Sequence, residues 1–175
     1  APLFLLAAAD LIVLAPESLS SRWTPPALAL THALTLGFLA MVMLGALMQM
    51  LPVVAGSPLP AARQVAWFSH LSLAGGTLAL MTGFLTAEPA AFGIGIVLLG
   101  GGFMVFLAAA AISLARAVAS VTVSGMRLAV TGLGITLLLG LSLALLRAGW
   151  WTPPAVEAAI AAHAAFGLLG WVLML

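Results

Sequence analysis

Charged side chains are too sparse in this sequence to give a folded chain a surface that water would tolerate, and that feature decides the solvent it folds in. Five Arg and four Asp or Glu residues make up 5% of the 175 residues, against 65% hydrophobic. A soluble domain carries roughly 25% charged residues. With a mean hydropathy of +1.31, the implied solvent is the hydrocarbon of a bilayer. The formal net charge is only +1, so the pI of about 9.5 rests on few groups and no basic stripe exists to track nucleic-acid phosphates. The absence of Cys excludes disulfides, thiolate metal sites and cysteine nucleophiles. Any metal must be met by His, Met or carboxylate.

A helix crossing the hydrocarbon needs roughly 20 apolar residues. The charges and Pro clusters cut the chain into about six such pieces, at residues 2–16, 25–51, 61–86, 90–115, 125–147 and 153–175. Apolar residues run continuously without alternating, which predicts helices and not a β-barrel. The expected architecture is therefore all-α, an integral membrane helical bundle of about six transmembrane helices forming one domain over residues 1–175. The first span is short, no Met opens the sequence and its last residues are apolar, which leaves open that it is a piece of a longer chain. The turns after the second and fourth spans carry Arg63, Arg116 and Arg127 without an acid, while the others hold Glu17, Arg22, Glu88, Arg147 and Glu157. Retention of Arg on the cytoplasmic side then predicts a cytoplasmic N-terminus.

Trp23-Thr24-Pro25-Pro26-Ala27 recurs as Trp151-Thr152-Pro153-Pro154-Ala155, an offset of 151 − 23 = 128 residues. Each copy is expected to open a helix, with Pro in the first turn and Trp at the headgroup boundary. A His-Ala pair follows each, at His32 and His163, an offset of 163 − 32 = 131 residues. An interfacial helix start that arose twice reads the same way. The reading adopted is a four-helix pseudo-repeat in which the second and sixth spans are equivalent and run in the same direction.

His32, His70 and His163 fall inside three different spans, where an ionisable group is costly and generally serves a function. Neutral imidazole is a ligand for haem iron, copper or zinc, whereas a proton relay would use carboxylates that the spans lack. A hydrogen bond across a helix interface is the bland alternative. Counting 1.5 Å per residue puts His32 roughly 10 Å and His163 roughly 15 Å below the outer boundary. His70 lies roughly 17 Å from that side. His70 and His163 are therefore the expected pair for one haem, with His32 a poorer match. Gly167 and Gly170, on the His163 face, are candidates for a porphyrin groove, and Arg63, on the His70 stripe, for a propionate partner. Met41, Met43, Met48 and Met50 crowd the second span and are read first as packing residues.

The string THALTLGFLAMVMLGALMQMLPVVAG, residues 31–56, resembles the second helix of the haem-copper oxidase subunit I superfamily and of NnrS-type membrane proteins. The resemblance covers the first six helices. It implies twelve helices in three four-helix pseudo-repeats, a cytoplasmic start, His32 as a low-spin haem ligand and His163 as a copper ligand. It also implies haem as cofactor, with copper as the second candidate, and a bacterial inner membrane location. The sequence after His163 departs from the oxidases: Ala164-Ala165-Phe166-Gly167 stands where many have Pro-Glu and a Tyr. The first function this suggests is a haem-binding membrane protein with a redox or nitric-oxide-related role. A non-catalytic subunit of a respiratory or photosynthetic complex is the second, and a small-solute or metal transporter the third. The expected partners are the lipid bilayer and other membrane subunits or further copies of the chain.

Overall fold

The computed structural model of this chain describes residues 1–14, 16 and 20–175; Glu17, used above in the loop-charge argument, lies outside them. Six helices follow one another: α1 (Pro2–Leu14), α2 (Pro25–Val54), α3 (Ala62–Thr86), α4 (Pro89–Arg116), α5 (Val121–Arg147) and α6 (Val156–Val172). No strand occurs among the described residues, so the all-α bundle is what forms. Helices α2 to α5, of 30, 25, 28 and 27 residues, are long and apolar enough to cross a membrane. At 13 residues for α1 and 10 + 7 = 17 for α6, the outer two fall short of the roughly 20 that a span needs.

The ends are set by local chemistry. At the start of α2 the Thr24 side chain accepts from the Ala27 amide at 3.4 Å, with Pro in the first turn. Ser120 caps α5 the same way through Val123, at 3.2 Å. These contacts satisfy amides that have no partner inside the helix. Gly149, at φ +74°, turns the chain after α5 in the left-handed region that favours glycine. Arg127 reaches from α5 to donate to the carbonyl of Leu114 at 2.9 Å, neutralising the negative end of α4.

The bundle is inside out with respect to a soluble protein. Leu71, Leu78 and Leu85, seven residues apart along α3, are exposed, as are Ile94, Val97, Met104 and Ile112 on α4. Where α3 meets α4, small residues face inward. A side chain on Gly102 would come within 2.8 Å of the Ser72 Cβ, and one on Gly95 would lie 3.5 Å from the Gly76 carbonyl. The buried Ser69 hydroxyl donates to the Gly102 carbonyl at 3.1 Å. Close backbone approach through Gly and Ser is how helices associate when lipid is as apolar as Leu. A core of Leu44, Leu47, Leu51, Phe103, Phe106, Leu133 and Trp171 joins α2, α4, α5 and α6. At one end of the bundle Ser113 of α4 donates to the carbonyl of Ser57, tying down the α2–α3 turn.

Two stretches depart from α-geometry. Residues Ala33–Ala40 of α2 and Phe166–Val172 of α6 are π-helical. In α2 a physical cause is visible. The Thr31 hydroxyl donates to the Ala27 carbonyl and the Thr35 hydroxyl to that of Thr31, both at 2.8 Å, so side chains compete for the i−4 acceptors and favour a shift to i−5. Helix α1 rests on this stretch, where a side chain on Gly37 would enter the space of the Phe4 ring.

Candidate functional site

The two copies of Trp-Thr-Pro-Pro behave differently. In the first, Pro25 and Pro26 form the opening turn of α2; in the second, Pro153 and Pro154 stay outside and α6 begins at Val156. The helix starts are thus 156 − 25 = 131 residues apart. That equals the offset between the two histidines. His32 and His163 each lie seven residues into their helix, about 10.5 Å along the axis. The expected one-turn difference in depth rested on helix starts aligned at the prolines, and it disappears. The histidine paired with His163 is His32, not His70.

Their ring centroids are 6.4 Å apart and their planes 16° from parallel. Each ring is anchored at Nδ1. His32 Nδ1 donates to the Leu28 carbonyl, one turn back, at 2.8 Å. His163 Nδ1 donates across the helix interface to the Thr136 carbonyl of α5, at 3.0 Å. A carbonyl can only accept, so each Nδ1 carries the proton and each Nε2 keeps its lone pair. Neither Nε2 has a hydrogen-bond partner among the described residues. The bland reading, imidazoles that only bridge helices, accounts for Nδ1 of His163 and leaves both Nε2 atoms unexplained. Backbone anchoring at one nitrogen with the other free is the usual preparation of a metal-ligating histidine.

Other elements complete the surroundings. The Phe84 ring of α3 lies 5.0 Å from His32 and packs edge-on against Phe92 of α4 at 5.4 Å. Gly140 of α5 lies against His163: a Cβ there would be 2.9 Å from Cε1 and 3.4 Å from Nδ1. Both histidines are largely buried, with a minor part of each residue exposed. Each histidine is followed almost at once by a π-helical stretch, beginning one residue after His32 and three after His163. Such stretches are rare and frequent at functional sites.

The remaining predicted site residues are elsewhere. Gly167 and Gly170 serve the α5–α6 seam: a side chain on Gly167 would meet the Thr136 methyl at 3.3 Å, and Gly170 sits directly on the backbone of Gly132. They let α6 approach α5, which brings His163 within reach of the Thr136 carbonyl, and they form no porphyrin groove. Arg63 lies in the first turn of α3, at the end of the bundle where α2 finishes, whereas the histidine pair lies near the start of α2. It therefore cannot meet a propionate of a group held by that pair. His70 lines a separate cavity between α2 and α3. Among the described residues no three His, Asp or Glu gather around a common point.

Phe84, Gly140 and the carbonyls of Leu28 and Thr136 were not legible as site groups. Gly140 stands in a Leu-rich run with no motif around it, and a carbonyl has no sequence signature beyond its position. Comparison with protein-family models, with curated proteins and with solved structures gave no match.

Proposed function

We propose that the protein binds haem within the membrane, where His32 and His163 would hold it, and serves a redox or nitric-oxide-related role. The observation that carries this reading is the pair of imidazoles with free Nε2 atoms and centroids 6.4 Å apart. The two rings are near-parallel, and each keeps an uncommitted Nε2 that could ligate iron. Charge favours haem over a bare ion. The porphyrin brings two negative charges to the iron, whereas a divalent copper ion on two neutral imidazoles would stay doubly charged in hydrocarbon with no clustered carboxylate beside it.

Bound haem supplies a one-electron couple at iron. The chain's own part is to hold both rings in one tautomer through the Leu28 and Thr136 carbonyls, to fix their near-parallel planes, and to shield one side with Phe84 and Phe92. Arg63, Arg116 and Arg127 all fall toward the end of the bundle opposite the pair, which supports an orientation with that end and the N-terminus in the cytoplasm of a bacterial inner membrane.

The test is an absorption and paramagnetic resonance study of protein produced with haem supplied. Six-coordinate low-spin haem is expected, with the rhombic signal of near-parallel imidazole planes. His32→Ala and His163→Ala should each abolish the six-coordinate spectrum, and His70→Ala should leave it intact. Protein that takes up no haem, or a spectrum indifferent to both substitutions, would overturn the reading.

A further inference from the structure

The cavity that contains His70 is distinct from the histidine pair. It has a volume of about 370 Å³ and is lined by Met41, Gly45 and Met48 of α2, Trp67 and His70 of α3, and the buried Phe106 of α4 at its back. Met41, Gly45 and Met48 follow the i, i+4, i+7 spacing of one helical face. Gly45 lies between the two methionines along the helix, and a side chain there would meet nothing within 4 Å. That open space belongs to the same cavity that both methionines and the exposed His70 line. Ser69 also lines the cavity, but its hydroxyl is already committed to the Gly102 carbonyl. His70 makes no hydrogen bond among the described residues.

The uncommitted donors are therefore two thioether sulfurs and one imidazole nitrogen. Thioethers are weak partners for water, for protons and for hard cations, and select soft monovalent metal. We propose that this cavity is a binding site for a single cuprous ion, held by Met41, Met48 and His70. A monovalent ion suits a site without a carboxylate, because the Born cost of a charge in hydrocarbon grows with its square. The indole of Trp67, exposed at the mouth of the cavity, presents a π-face that attracts a cation. Methionine packing alone does not account for the open space at position 45, which a larger residue would have filled. The inference is independent of the haem reading, since it uses none of the same residues.

The experiment is a titration of the whole purified protein in detergent with Cu(I), under anaerobic ascorbate and against a chromophoric Cu(I) chelator, repeated with Ag(I) while Trp fluorescence is followed. One ion per chain is expected to bind, with X-ray absorption showing sulfur and nitrogen neighbours together. Met41→Leu/Met48→Leu keeps volume and apolar character and should lose that ion, as a fall of about 100-fold or more in affinity. Gly45→Leu should block it by filling the gap while every donor remains. Met43→Leu/Met50→Leu, which removes two thioethers that do not line the cavity, should bind as the parent does, and so should His32→Ala/His163→Ala. Unchanged binding in both Met41→Leu/Met48→Leu and Gly45→Leu, or loss of the ion in the histidine-pair variant instead, would overturn the proposal.

Discussion

Gly140→Ala adds a single methyl group and separates the site from the fold that carries it. The new Cβ would lie 2.9 Å from His163 Cε1 and 3.4 Å from Nδ1, where carbon atoms prefer about 3.5–4.0 Å. The imidazole must retreat by roughly 0.5–1 Å. Its Nδ1 bond to the Thr136 carbonyl, now 3.0 Å, would stretch to or past the limit of a useful hydrogen bond. Losing that bond costs about 1 kcal/mol and frees the ring from its set orientation. Loss of such an orienting contact typically lowers metal affinity about 10- to 100-fold. Ala in place of Gly meanwhile favours the helix by about 1 kcal/mol. Stability and affinity should therefore separate, with thermal unfolding in detergent unchanged within about 1 kcal/mol while haem titration shows the weakened site. Gly134→Ala on the same helix is the control, because its Cβ meets only Leu107 at 4.0 Å. Equal haem affinity in Gly140→Ala and the parent, with an unchanged low-spin signal, would refute the placement of His163.

Gly132→Ala should undo the docking of α6, because the added methyl meets the Gly170 backbone, which cannot rotate aside; a loss of about 2 kcal/mol or more in detergent unfolding is expected, together with a longer spin-label distance between α5 and α6. Thr77→Val should be neutral or stabilising by about 1 kcal/mol, since the Thr77 hydroxyl is fully buried without a hydrogen-bond partner among the described residues; a clear destabilisation in the same assay would mean that the hydroxyl has a partner. Arg127→Met keeps much of the side-chain bulk but leaves the Leu114 and Ala117 carbonyls without their donor. Its expected cost is about 1–3 kcal/mol, with amide exchange rising at the end of α4 and the histidine-pair spectrum unchanged.

Fold class was readable in the sequence because it follows from solvent. A chain with nine charges in 175 residues must enclose its backbone hydrogen bonds in helices if it lies in lipid. The apolar stretches place α2 to α5 to within a few residues of where they form. That each Trp-Thr-Pro-Pro precedes a helix bearing a His was also legible. What misled was the assumption that equal motifs start helices at equal positions. Thr24 caps α2 immediately before its prolines, while the chain after Thr152 continues for three more residues before α6 begins. A three-residue error is almost one turn, and a turn decides which histidines share a depth.

Hydropathy and spacing along the chain thus determined that this protein is a helical membrane bundle with imidazoles inside it, because burial in hydrocarbon acts on each segment separately. Which imidazoles meet, which glycines serve packing and which methionines face a gap were decided only by tertiary structure. Those outcomes depend on the rotation and contact of one helix against another, and lipid, apolar on every side, imposes no preference that a single helix could record.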